Sequence, residues 1–317
     1  MQKLVRNTLT VALAMGVSLS VSAKEKLTLL LDWFVNPDHA AIIVAQQKGY
    51  FEQNGLEVEI IEPADPSLPP KLVAAGKADL AVDYQPQLQI QVAEDLPLTR
   101  VGTLVATPLN TLIVLEKSDI KTLADLKGKK IGYSVSGFED SLLKAMLKSA
   151  GLTSKDVEMV NVNWSLSPSV ISGQVDAVVG GFRNFELNQM QLEKQPGRAF
   201  YPEENGVPVY DELILVANKT SMPKEKISKF LTALEQATIY TMNHPDDAWK
   251  SFVAYKPKEL DNDLNRLAWK DTLPRLALRP RALDGHRYER MAEFLKENGL
   301  TKVVKPLSDY AVEVKFG

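Results

Sequence analysis

A tryptophan, a phenylalanine, an asparagine and a histidine crowd into Leu31-Asp32-Trp33-Phe34-Val35-Asn36-Pro37-Asp38-His39-Ala40. A tryptophan offers a flat π face, and asparagine and histidine offer hydrogen bonds, so these types suit non-covalent capture of a flat polar molecule. The apolar run Leu27 to Leu31 reads as a buried strand, Asn36-Pro37 breaks it, and Asp38 can cap the helix that follows. Trp33, Asn36 and His39 thus fall between a strand's carboxyl end and a helix's amino end, where open α/β sheets bind ligands. Two readings stand side by side: Trp33 and Phe34 face a ligand, or they close the strand as core. Ser134, Ser136 and Gly137 occupy a similar strand-to-helix turn. Its amides can hold an anion or a carbonyl oxygen, or the serine is a plain helix cap. Gly180-Gly181 lets the backbone approach a ligand or bends the end of a strand. Glu186, on its own, reads as a helix-start glutamate favoured by the dipole.

Covalent chemistry is poorly provided for. The chain has no cysteine, which excludes disulfides, thiolate catalysis and cysteine-bound metal. Its three histidines, His39, His244 and His286, have no metal-ligand spacing, and only His39 lies near a candidate site. No glycine-rich phosphate loop or Gly-x-Ser-x-Gly elbow is present. No cofactor is expected.

The elements that must carry these residues alternate. Leu56–Ile61, Ala78–Val82 and Leu98–Val105 read as strands with helices between them, and Leu112–Leu115, Ile131–Ser134, Val157–Val162 and Val175–Val179 continue the pattern. Trp164 to Pro168 reads as a loop. Two passages match: each runs from a helix stop, Gly55-Leu56 or Gly151-Leu152, through a strand and a Pro/Ser loop. Each then has a Gly-x-x-Asp step (Gly76 to Asp79, Gly173 to Asp176), a strand and a polar-aromatic loop. The match points to two related βαβ lobes. After Glu212–Ala217 helices dominate: Pro223–Met242, with Ile227, Phe230, Leu231, Leu234 and Ala237 on one face, then Ala248–Tyr255, Leu260–Lys270 and Leu283–Glu297. Tyr310 to Phe316 reads as a strand-like tail. The chain is expected to return to its first lobe after the second, crossing near 107–115 and 209–216.

Length and charge bound the rest. At 317 residues there is room for two medium domains, and a formal net charge of −3 carries no basic footprint for nucleic acid. Lys3 and Arg6, an apolar stretch from Leu9 to Val21 and the small-residue site Val21-Ser22-Ala23 read as a secretory signal peptide over residues 1–23. Its removal, with Lys3 and Arg6, takes the formal charge from −3 to −5. The expected product is exported, most simply to a bacterial periplasm.

With that start, two βαβ lobes and a loop for ligand in each, the sequence resembles the solute-binding proteins of ABC importers. Within them it looks most like the branch that binds thiamine pyrimidine precursors, homologous to the eukaryotic pyrimidine synthase of thiamine biosynthesis. The carriers are the stretch Leu31 to Ala40, Lys48-Gly49-Tyr50-Phe51, Glu62 to Ser67, Ala75 to Asp79, Leu126 to Tyr133 and Ala248-Trp249-Lys250. The resemblance implies an α/β, type II periplasmic-binding-protein fold: lobe 1 from 24–108 plus 214–317, lobe 2 from 109–213, joined by a hinge of two crossings. It implies an aminopyrimidine held flat between aromatics, with a carboxylate reading its edge. Trp33, Asn36 and Tyr84 match the first lobe's ligand loops, and Phe182 and Glu186 the second lobe's aromatic-x-x-x-Glu step. Arg183 departs from the aromatic expected beside Phe182. The implied partner is a membrane permease with its ATPase, and the implied state a monomer. The synthase uses a lysine and a histidine after the Gly-Lys-x-Asp step; here Asp83 and Gln87 stand there, and an aspartate cannot form a Schiff base. A sulfonate, taurine or nitrate binder of the same fold is the other expectation, although a carboxylate in the pocket repels an anion.

Overall fold

A computed structural model describes residues 23–315; the signal-peptide stretch before Ala23 and the end of the tail lie outside the described residues. The strands are β1 (Glu25–Leu30), β2 (Leu56–Ile61), β3 (Leu80–Asp83), β4 (Leu98–Val105), β5 (Asn110–Leu115), β6 (Lys130–Tyr133), β7 (Glu158–Asn161), β8 (Ala177–Phe182), β9 (Gly197–Phe200) and β10 (Leu213–Asn218). They form two five-stranded sheets, ordered β2-β1-β3-β10-β4 and β7-β6-β8-β5-β9. In the first, β1 runs parallel to β2 and β3, and β10 antiparallel to β3 and β4. In the second, β6 runs parallel to β7 and β8, and β5 antiparallel to β8 and β9. Each sheet therefore takes one antiparallel strand, β10 or β5, directly after the chain has crossed from the other. This is an α/β two-lobe fold.

Local chemistry explains the elements. The central strands β3 and β8 are buried almost throughout and carry the apolar runs Leu80-Ala81-Val82 and Ala177-Val178-Val179. The long helix Lys224–Asn243 buries Ile227, Phe230, Leu231, Leu234 and Ala237 against the first lobe, as its periodicity predicts. Three elements differ from expectation. The helix expected over 260–270 is broken: Pro257–Leu260 ends, Asn262 caps anew through Asn265 N–H at 2.8 Å, and Asp263–Thr272 follows. The 164–168 loop is shorter, because a helix begins at Leu166 and runs to Ile171. The tail makes a single bridge, Ala311 to Arg100, instead of a strand. The edge strand β9 is half-buried and has no alternating pattern that would reveal it in sequence.

The two crossings are tied side by side. Glu212 Oε2, at the edge of β10, accepts the N–H groups of Leu109 at 2.6 Å and Asn110 at 2.8 Å. Arg287, on the helix Gly285–Glu297, donates to the Ala106 carbonyl at 2.7 Å and to Asp211 Oδ1 at 2.5 Å. The segments that join the lobes thus share one carboxylate and one guanidinium. No described helix is long and apolar enough to cross a membrane.

Candidate ligand-binding site

The site is assembled from strand ends. After β1, the chain turns at Trp33 and is stopped by Asn36, whose side chain caps the short turn Pro37–His39 by accepting Asp38 N–H at 2.9 Å. Asn36, not Asp38, is therefore the cap. Asp38 is freed to reach the opposite lobe: its Oδ1 accepts from Asn184 Nδ2 of that lobe at 2.6 Å, and from Thr272 Oγ1 of its own lobe at 3.3 Å. His39 is turned away from solvent at 1% exposure. Its Nδ1 accepts Asn36 N–H at 3.4 Å, so Nε2 carries the hydrogen and donates to Asp32 Oδ1 at 2.8 Å. Tyr84, at the end of β3, donates its hydroxyl to Asp32 Oδ2 at 2.9 Å and stacks on Phe138 at 4.6 Å with planes 10° apart.

The second lobe answers with two glutamates. Glu139 opens the helix Glu139–Ser149, and its Oε2 accepts Ser134 N–H at 2.6 Å and Val135 N–H at 3.0 Å. Glu186 opens the helix Glu186–Leu192 and accepts Phe182 N–H at 2.6 Å. Burial pushes both carboxyls up to about 8, and their mutual proximity adds to the shift of Glu139. Burial likewise pushes Asp38 up to about 6, against its hydrogen bonds. Gly180, at φ +103°, makes this packing possible: a Cβ there would meet Glu139 Oε1 at 2.2 Å. The pair Gly180-Gly181 thus admits a carboxylate of the protein itself.

These groups line a small cavity between the lobes. Its walls include Asp32, Trp33, Asn36, Asp38 and Tyr84 from the first lobe and Glu139, Phe182, Phe185 and Glu186 from the second. No lysine, arginine or histidine is among its lining residues. Trp33 is 9% exposed and packs with Val162, Leu166 and Val170 of the second lobe, its ring 4.4 Å from that of Trp164. A wider neighbouring hollow shares Trp33, Leu166, Phe185 and Glu186 with the cavity and is also lined by Phe34 and Glu62.

Of the residues expected from sequence, Trp33, Asn36, Tyr84, Phe182 and Glu186 come together on the cavity. His39, Ser134 and Ser136 do not line it. His39 is spent behind Asp32; the Ser134 amide is taken by Glu139; Ser136 is exposed. The turn therefore offers its amides to a carboxylate of the chain rather than to an external anion. Arg183 pairs with Glu203 at 2.6 Å and stacks over Tyr201, outside the cavity. Asp83 is fully buried, accepts Tyr84 N–H at 2.8 Å, and is pushed up to about 8 by burial. Asp32, Glu139 and Phe185 were not expected. No local signal separates Glu139 from an ordinary helix-start glutamate, and only its partner lobe gives it a role.

Comparison with known proteins supplies the kinship. The family model described as NMT1/THI5 like matches residues 36–248. A Haemophilus influenzae protein named for thiamine biosynthesis is 67% identical over 95% of this chain and 96% of its own. The formylaminopyrimidine-binding protein of Halalkalibacterium halodurans is 35% identical over 71% of this chain and 69% of its own. The Saccharomyces cerevisiae 4-amino-5-hydroxymethyl-2-methylpyrimidine phosphate synthase THI5 is 31% identical over 76% and 74%. Among solved structures, the alkanesulfonate-binding protein SsuA from Xanthomonas axonopodis pv. citri superposes with a TM-score of 0.71 at 17% identity, covering 92% of this chain and 98% of its own. A Candida albicans gene product described as exhibiting the generic periplasmic binding protein structural fold gives 0.72 at 16%, covering 93% and 97%. The two-lobe architecture is that of the periplasmic binding proteins, and by sequence the chain belongs to the NMT1/THI5-like family.

Proposed function

We propose that this chain is the periplasmic substrate-binding component of an ABC importer. It captures a thiamine pyrimidine precursor, an aminopyrimidine such as formylaminopyrimidine or hydroxymethylpyrimidine, for thiamine biosynthesis. The observation that carries this reading is a cavity between two lobes walled by aromatic rings and carboxyls, with no cationic side chain on its lining. An aminopyrimidine has a π face for Trp33, Tyr84 or Phe182 and an amino edge for Glu186. A sulfonate or nitrate, by contrast, finds no lysine, arginine or histidine on that lining to offset its charge. The name of the formylaminopyrimidine-binding relative supports the same ligand class.

The chain works as a monomer with lobes 24–108 plus 214–317 and 109–213, and the bound ligand favours their closed arrangement. The closed form docks on a membrane permease whose ATPase drives import. It acts as a binder and not as a synthase: where the resemblance calls for an amine, Asp83 is a buried carboxyl directed at the Tyr84 amide. Calorimetry with formylaminopyrimidine, hydroxymethylpyrimidine, thiamine and taurine tests this. Pyrimidine binding with no taurine binding is the expected result; tight taurine binding without pyrimidine binding overturns it.

A further inference from the structure

The two lobes treat their cavity carboxyls differently. Asp32 is held by Tyr84 O–H and His39, and Asp38 by Asn184 and Thr272, all side-chain partners. Glu139 and Glu186, among the described residues, are held only by backbone N–H groups. No positive side chain faces either one on the cavity wall. Glu139 is 4% exposed, and its Oε1 accepts no hydrogen bond among the described residues. The glycine at position 180 leaves the space this oxygen fills. Of the nearby donors, Tyr84 O–H points to Asp32, and one Nδ2 hydrogen of Asn36 goes to the Phe34 carbonyl at 3.1 Å. One glutamate suffices to read the amino edge of a ring. A second, buried and without a counter-charge, asks for a second donor on the ligand.

We propose that Glu139 is a second ligand-reading carboxyl, and that the captured aminopyrimidine carries a primary ammonium group on its side arm as well as its ring amino group. The inference rests on the pyrimidine-capture reading above and narrows it. An ammonium is a donor-only group; as it binds, the Glu139 carboxyl gives up the proton that burial holds on it, and the hydrogen bond to its free oxygen becomes charge-assisted. A hydroxymethyl or formylaminomethyl arm can also donate to that oxygen but carries no positive charge, and a phosphate brings negative charge.

The test is calorimetry on the full chain and its Glu139→Gln variant. The probes are three aminopyrimidines whose arm is aminomethyl, formylaminomethyl or hydroxymethyl. The wild type is expected to bind the aminomethyl compound at least about 10-fold more tightly than the other two. Glu139→Gln is expected to weaken the aminomethyl compound at least about 10-fold more than the other two, which abolishes that preference. Equal affinities in the wild type, a preference that survives in Glu139→Gln, or an equal loss for all three compounds each overturn the inference, the last by marking Glu139 as purely structural. Should Glu139→Gln not fold, Glu139→Asp keeps the charge one methylene further back and is expected to reduce the preference; an undiminished preference overturns the assignment. Failure of all three compounds to bind the wild type defeats the pyrimidine reading itself, whereas tight binding without preference defeats only the role of Glu139.

Discussion

Glu186 and Glu139 hold their cavity positions at an electrostatic cost that burial makes explicit: both are pushed from an ordinary 4.5 up to about 8. Below about pH 4.5 both the folded and the unfolded chain keep these protons. Between 4.5 and 8 the unfolded chain releases them and the folded chain does not, so the stability these two groups contribute falls as pH rises and is lost above about 8. Asp38, shifted from 3.8 to about 6, acts in the same direction over a lower window. The ligand-free protein is therefore expected to unfold at progressively lower temperature from pH 5 to pH 8, and Glu186→Gln to flatten the slope. Thermal melts across that range check it, and a melting temperature that climbs with pH contradicts it. Glu186→Ala is expected to weaken aminopyrimidine binding by about 10- to 100-fold with the fold intact, since it removes a charge-assisted hydrogen bond. An unchanged affinity by calorimetry would take Glu186 out of the site.

At the scale of the element, the second lobe's side of the cavity depends on one glycine near the end of β8. Gly180 combines φ +103° with a Cβ position 2.2 Å from Glu139 Oε1, so Gly180→Ala meets backbone strain and a carboxylate at once. A loss of about 2 kcal/mol or more is expected in denaturant unfolding, larger than for Gly→Ala at an open turn such as Gly76. Much of this was legible in the sequence. The alternation of strands and helices, the aromatic stop after β1 and the loop after β8 follow from local periodicity and breakers. What was not legible depends on the opposite lobe. Asp38 reads as a helix cap until Asn184, distant in sequence, is brought to its carboxyl at 2.6 Å. His39 reads as a pocket residue until Asp32 is seen to occupy its Nε2. Ser134 and Ser136 read as an anion cradle until Glu139, only a few residues on, turns back onto the amides. The break at Asn262 depends on a local cap that competes with an otherwise continuous apolar stripe.

Across the whole molecule the lobes meet through few polar contacts. Asn184 of the second lobe donates to Asp38 and, at 2.7 Å, to Thr272 Oγ1 of the first, and Asn188 donates to Asp271 at 2.8 Å. Asn184→Ala removes the buried part of this clasp and leaves the hinge ties of Glu212 and Arg287 untouched. The ligand-bound variant is expected to show a larger radius of gyration than the ligand-bound wild type in small-angle scattering, with its melting temperature little changed; identical scattering refutes the clasp. Trp33 adds a further consequence. Its ring is seated among apolar residues of the second lobe, so the wall of the cavity on one side is part of the packing on the other. A molecule inside is held on one side by that ring, which moves away when the lobes part. Its dwell time is then set by how often the lobes part, while the glutamates decide which molecule is worth closing on. Changes at Asn184 should quicken capture and escape together; changes at Glu186 should quicken escape alone.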